Sequence, residues 1–236
     1  MNLAVIPARG GSKRIPRKNI REFRGKPMIV HSIDCAFQSG LFDRVLVSTD
    51  DEEIREVALQ SRAEVPFLRP AALSDDHTGT TAVVAHAIEW LQREGTVPAA
   101  VCCIYATAPF MRPEDLEAGL RILEAGQWKF VFSATEFPAP VERAFRKRAD
   151  EGLEMLFPER FDARSQDLGE IFHDAGQFYW GPPQAWLSHA RIFDTHSTIV
   201  TIPRWRVHDI DTEDDWRRAE AMLAFIDATP DRKART

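Results

Sequence analysis

The densest chemistry in this 236-residue chain lies in one stretch near its start, Pro7-Ala-Arg-Gly-Gly-Ser-Lys-Arg-Ile-Pro-Arg-Lys-Asn19. Arg9, Lys13, Arg14, Arg17 and Lys18 place five cations within ten residues. Gly10 and Gly11 let the backbone turn sharply and bring amide groups close to a ligand. In a chain with a formal net charge of −6, such a concentration of cations points to a local polyanion, most simply a triphosphate. The spacing matches neither a G-x-x-x-x-G-K-[ST] P-loop nor a G-x-G-x-x-G dinucleotide fingerprint. A merely solvated basic loop is the bland alternative, and paired glycines with prolines after an apolar run argue against it.

A second cluster, His208-Asp-Ile-Asp211, sits near the other end. Asp209 and Asp211 are two apart, so an extended segment turns both carboxylates to one side. Beside a triphosphate that pair suits magnesium (Mg2+), which takes one or two carboxylates, waters and phosphate oxygens. D-x-D alone is common at turns, and Thr212 with Glu213-Asp214-Asp215 has the makings of a helix cap and first turn. The metal reading of Asp209 and Asp211 therefore leans on the N-terminal loop. Two further segments end apolar runs with polar or aromatic groups: Ile104–Phe110, with Tyr105 and Thr107, and Phe172–Trp180, with His173, Asp174, Gly176, Gln177 and Tyr179.

These groups need a scaffold. Leu3–Ile6, Arg44–Ser48, Glu64–Leu68, Ala99–Tyr105, Phe130–Ala134, Ala175–Trp180 and Ser197–Ile202 read as short buried strands. Met28–Gly40, Glu52–Gln60, Thr80–Glu94, Pro113–Ala125 and Glu213–Ile226 have helical spacing, with a glycine stop at Gly40 and a first-turn proline at Pro113. The alternation predicts an α/β fold with a three-layer, doubly wound, mostly parallel sheet. The basic loop then falls at the carboxyl end of the first strand, where such sheets bind ligands. The expected organisation is a single domain over residues 1–236, with an arm or flap at about 136–170 and a frayed tail over 229–236.

Composition narrows the class. The net acidity disfavours a sequence-blind nucleic-acid binder, and no apolar run approaches a membrane span. Met1–Ile6 runs straight into the basic motif, so no signal peptide is expected. Three cysteines, Cys35, Cys102 and Cys103, form no disulfide framework and suit a reducing, cytoplasmic setting.

The Pro7–Asn19 block resembles the N-terminal signature of the CMP-sugar synthetases, the cytidylyltransferases acting on sialic acid and its relatives. The resemblance runs along nearly the whole chain, through Val47-Ser-Thr-Asp50 and Phe67-Leu-Arg-Pro70. It implies a Rossmann-like nucleotidyltransferase fold, CTP and an acidic nine-carbon sugar as substrates, magnesium as cofactor, and a homodimer joined through the projecting arm. By position, Arg9, Gly10, Gly11, Ser12, Asn19, Arg69 and Thr80 would bind the nucleotide. Lys13 and Lys18 would face the phosphates, and Asp209 and Asp211 the metal. Tyr105, Thr107, His173, Gln177 and an arm arginine such as Arg143 are the candidate contacts for the sugar's carboxylate and hydroxyls, with a core-filling Tyr105 and a structural His173 as the bland alternatives. Sialic acid enzymes typically carry Gln-Pro-Thr-Ser-Pro where this chain has Tyr105-Ala-Thr-Ala-Pro109. That departure, with His173–Tyr179, resembles the pseudaminic acid branch of the family. N-acetylneuraminate, legionaminate or a Kdo-type acid stay open as alternatives, as does a nucleotide-binding regulatory module without catalysis.

Overall fold

The computed structural model describes residues 1–75 and 78–228; the expectation for the tail 229–236 lies outside the described residues. In chain order the elements are β1 (Asn2–Pro7), β2 (Glu22–Phe23), β3 (Lys26–Pro27), α1 (Met28–Ser39), β4 (Arg44–Ser48), α2 (Glu52–Gln60), α3 (Thr80–Arg93), β5 (Ala100–Ile104), α4 (Pro113–Glu124), β6 (Phe130–Glu136), β7 (Phe145–Lys147), β8 (Leu153–Met155), β9 (Phe172–Gly181), α5 (Pro183–Leu187), β10 (Ser197–Thr201) and α6 (Glu213–Ala228).

Six strands form one sheet in the order β10-β6-β9-β5-β1-β4. The β1–β4, β1–β5 and β10–β6 pairs are parallel, and β9 runs antiparallel between β5 and β6. Helices cover both faces. One face packs Ile6, Val47, Cys102, Ile104 and Trp180 against Ile29, Ile33, Ile54 and Leu116 from α1, α2 and α4. The other packs Leu3, Val5, Val101, Phe130 and Tyr179 against Val84, Ile88, Leu91 and Trp186 from α3 and α5. Leu3–Ile6 of β1 is fully buried, as a central strand covered on both faces must be. Each such large apolar side chain contributes about 1.5–3 kcal/mol.

Helix ends follow the sequence chemistry. Gly40 closes α1 in the left-handed region (φ 65°), and Asp51 opens α2 by accepting from the Ile54 amide at 3.0 Å. Glu64–Leu68 is not a strand. It follows β4 only through single bridges, Leu46 to Glu64 and Thr49 to Leu68. Pro66 lies between them and has no amide to donate, so the ladder cannot continue. β9 is longer than expected and takes in His173 and Asp174. The 136–170 segment leaves β6 and returns where the Phe137 amide donates to the Ile171 carbonyl (3.0 Å), carrying the small antiparallel hairpin β7–β8.

Candidate active site

Two buried isoleucines bring the distant cationic and acidic segments together. Ile15 lies inside the basic loop, and Ile210 lies between the two aspartates. Both pack into one cluster with Phe23, Met28, Phe110 and Trp216. With Ile210 turned inward, its neighbours Asp209 and Asp211 turn the other way. Lys18 Nζ donates to the Ile210 carbonyl at 2.8 Å and to Asp211 Oδ1 at 3.3 Å, and Arg14 Nη1 lies 2.7 Å from Asp211 Oδ2. Thr212 and Asp215 cap α6 reciprocally: the Thr212 amide donates to Asp215 Oδ2 (2.9 Å) and the Asp215 amide to Thr212 Oγ1 (3.2 Å). Asp215 thus belongs to the helix start.

A cavity of about 340 Å³ opens at the carboxyl ends of β1 and β5, within the range of small-molecule sites. Arg9, Ser12, Lys18, Asn19, Arg69, Thr80, Tyr105 and Thr107 line it. Asn19 Nδ2 donates to the Arg9 carbonyl at 2.9 Å, which closes the loop on itself. Arg69 forms part of the floor. Its Nε donates to Ser74 Oγ (3.2 Å) and its Nη2 lies 3.6 Å from Asp50 Oδ1. Burial lowers its guanidinium from the ordinary value, with Asp50 opposing. It nevertheless stays a cation at the wall of the cavity.

A second cavity, of about 420 Å³, shares Tyr105 and Thr107 with the first and is otherwise lined by His173–Gly176 and Val207–Ile210. The Tyr105 hydroxyl sits 3.3 Å from Thr80 Oγ1, and the Tyr179 hydroxyl donates to Asp174 Oδ2 at 2.5 Å. Burial pushes both phenols up, so they stay protonated. His173 packs against Phe137, and its Nδ1 donates to the Asp174 carbonyl at 3.0 Å.

Several anticipated groups stand elsewhere. Gln177 does not reach the second cavity. It is buried, and its Nε2 donates to the Arg206 carbonyl at 2.8 Å. The cause is a bulge opposite Ser133: Phe132 pairs with Tyr179, yet Ala134 pairs with Asp174. The simple alternation that would put His173 and Gln177 on one face is broken there, and Gly176 turns through φ 61°. Arg17 is drawn away from the cation cluster. Its φ is 56°, and its guanidinium forks onto Asp51 at 2.5 and 3.0 Å with Glu53 beside it. The Gly10 amide is taken by Asp50 Oδ1 at 3.0 Å instead of being offered to a ligand. Lys13, Gly10 and Gly11 lie outside the lining of both cavities. Arg143 sits on the arm, donating from Nη2 to the Ala163 carbonyl at 3.0 Å. Asp174 and His208 are lining residues to which sequence reasoning gave no role. Their only signal was adjacency to His173 and Asp209.

Among the described residues no three His, Cys, Asp or Glu side chains converge to cage a metal. Asp209 and Asp211 instead form a pair of hard oxygen donors. Burial, reinforced by the charge on Asp211, pushes the Asp209 carboxyl above the usual range, while Lys18 and Arg14 pull against the shift. A divalent cation would relieve that repulsion, so the pair fits a hard cation such as magnesium. The cysteines have no part in this chemistry. All three are buried and free, and burial pushes the Cys35 thiol up to about 12.

Residues 3–160 match the family model described as cytidylyltransferase. Over 221 residues, 94% of this chain and 95% of the other, the chain is 48% identical to a pseudaminic acid cytidylyltransferase of Campylobacter jejuni. It is 31% identical to a CMP-N,N'-diacetyllegionaminic acid synthase of Legionella pneumophila, over 94% of this chain and 95% of that one. The fold is similar to that of a CMP:2-keto-3-deoxy-manno-octonic acid synthetase solved in complex with CTP, with a TM-score of 0.69 at 17% identity, covering 95% and 98% of the two chains. The Pro7–Asn19 loop, the sheet that carries it and the full-length likeness agree, and the chain belongs to the cytidylyltransferase family.

Proposed function

We infer that the chain transfers CMP from CTP to the anomeric hydroxyl of pseudaminic acid. The hydroxyl gives up its proton to solvent as its oxygen bonds to the α-phosphorus, the bond from that phosphorus to the α–β bridging oxygen breaks, and pyrophosphate leaves. The observation that carries this reading is two cavities meeting at a shared wall, Tyr105 and Thr107, with Lys18 on one side and Asp209 on the other. The full-length likeness to the Campylobacter enzyme supports the sugar.

In this reading Arg9, Ser12, Asn19, Arg69 and Thr80 bind the nucleotide. Lys18, with Lys13 and Arg14 at the loop's outer edge, offsets charge on the leaving pyrophosphate. Asp209 and Asp211 would hold magnesium, which would supply neutralisation of phosphate charge. Thr107, His173 and Asp174 line the acceptor cavity. Tyr105 presents a ring and one hydroxyl where sialic acid enzymes have an amide, which suits a deoxy, acetamido-bearing sugar. The protein's task is alignment and charge neutralisation across the two cavities.

The reading also treats residues 1–236 as one catalytic domain, with the 136–170 segment as the homodimerising arm. Cytoplasmic placement accords with three free thiols. The test is incubation with CTP, magnesium and a panel of nonulosonic acids, the CMP-sugar being identified by mass. CMP-pseudaminic acid is expected, far above the N-acetylneuraminate product. Equal turnover of N-acetylneuraminate removes the sugar assignment, and comparable rates with ATP remove the nucleotide assignment, because a pocket shaped to the cytosine edge leaves polar groups unpaired with a purine.

A further inference from the structure

We propose that Arg206, clamped by Asp115 and Gln177, is the positioning residue for the Asp209–Asp211 carboxylate segment; the proposal rests on reading those carboxylates as the metal and phosphate site. Arg206 ends a short 3-10 turn, Arg204–Arg206, three residues before Asp209. Its guanidinium forks onto Asp115, Nη1 to Oδ2 and Nη2 to Oδ1 (3.0 Å), with both side chains almost wholly buried. Asp115 stands in the first turn of α4, where it also accepts from the Arg112 amide (3.2 Å) and faces the positive end of the helix. The main-chain carbonyl of Arg206 accepts from Gln177 Nε2 of β9. Side chain and backbone of one residue are therefore held by two different elements of the scaffold.

That cluster is a poor way to add stability. Desolvation offsets most of the attraction in a buried ion pair, and an apolar pair of similar volume often serves as well or better. Here Arg206 Nε and Gln177 Oε1 are also buried without partners, a further cost. What a planar fork adds over apolar packing is a defined direction. Ile210 in its apolar cluster and the Asp211 amide, which donates to Asp215 Oδ2 at 3.3 Å, hold the segment's backbone as well, but the two cations that hold the Asp211 carboxylate, Lys18 and Arg14, are the groups assigned to phosphate charge, so a bound triphosphate competes with Asp211 for them. The Arg206 fork lines neither cavity, so substrates bound there do not compete for its partners.

The experiment compares wild type with Asp115→Leu/Arg206→Met, Gln177→Leu and Asp211→Asn. Three readouts are taken: thermal midpoint, amide hydrogen exchange of residues 207–211 without substrates, and pyrophosphate release titrated with Mg2+ at fixed CTP and pseudaminic acid. The double variant is expected to keep or raise the midpoint. Its 207–211 amides should exchange faster, half-saturating Mg2+ should rise, and kcat should fall by about 10–100-fold, as a displacement near 1 Å implies. The CTP KM should stay within about threefold, since the nucleotide cavity is untouched. Gln177→Leu should move exchange and Mg2+ dependence the same way by less. Wild-type exchange and Mg2+ dependence in the double variant overturn the proposal. If that variant does not fold, the same two results in Gln177→Leu overturn it. Near-wild-type turnover in Asp211→Asn overturns the carboxylate reading and this proposal with it. Loss of turnover there, beside an unaltered double variant, overturns this proposal alone.

Discussion

At Gly10 a single added carbon would lie 2.4 Å from Asp51 Oδ2 and 3.0 Å from Asp51 Cβ. Asp51 cannot step aside, because Arg17 forks onto it and the Ile54 amide donates to it. At Gly11 an added carbon meets nothing within 4 Å. The two glycines of the motif, alike on paper, therefore differ. Gly10→Ala is expected to cost about 1–3 kcal/mol of stability, in keeping with overpacking, and to raise the CTP KM. Gly11→Ala should stay within about 0.5 kcal/mol of wild type. Thermal melts and CTP titrations of the two variants check this, and equal behaviour would contradict the contact at Asp51. The same scale shows where sequence reasoning stopped. It singled out Gly10 for its amide, whereas the amide is taken by Asp50 and the missing side chain is what matters.

At the level of elements, the arm leaves a cluster of apolar side chains uncovered within a single chain. Phe145 and Leu153 of the β7–β8 hairpin and Phe161 just beyond it are each at least 60% exposed. With Arg143 and Met155 they surround an apolar cavity of about 410 Å³. A lone two-stranded hairpin is marginal in water, and an apolar face of this kind marks a contact surface. If the arm joins two copies, the protein should sediment at twice the chain mass of 26.8 kDa. Phe145→Glu with Leu153→Glu should bring it to the monomer while leaving the circular dichroism unchanged, since neither side chain belongs to the core. A wild-type monomer would remove the homodimer proposal. Sequence patterning marked this segment only as a break in rhythm. β7 and β8 are three residues each, too short for periodicity to register.

For the whole molecule, two partly buried histidines set an acid-side limit on stability. Burial, above all, lowers His31, whose Nε2–H donates to the Phe23 carbonyl at 2.9 Å, and His86, which stands edge-on to Phe67. Unfolding releases both to the ordinary value of about 6.5. Below that value the unfolded chain binds more protons than the native one, so stability rises with pH there. Their contribution is complete above about pH 6.5 and is lost as pH falls toward the lowered native values. Asp51, held below the usual range first by its hydrogen bond from Arg17, adds the same sign at lower pH. The thermal midpoint should therefore decline from pH 7.5 to pH 5.5, with a shallower decline in His86→Gln. A flat profile over that interval would contradict the partial burial of these imidazoles.

Along the same whole chain, sequence alone determined what depends on local pattern. Four-residue apolar runs, a helix stop at Gly40 and a basic loop after β1 were legible because strand burial, capping and charge density act over a few neighbours. The D-x-D register was legible too, because alternation on an extended segment is a local rule, and Ile210 packs inward as that rule requires. Tertiary structure alone decided the partnerships. Lys18 and Asp211 are 193 residues apart and meet because Ile15 and Ile210 share one apolar cluster. Gln177 turned inward and Asp174 reached the cavity because a bulge opposite Ser133 broke the two-residue period of β9, and a bulge is set by the neighbouring strand. Arg17 left the cation cluster for the same kind of reason: its partners, Asp51 and Glu53, come from the far end of β4 and the start of α2, which only the parallel pairing of β1 with β4 brings beside it.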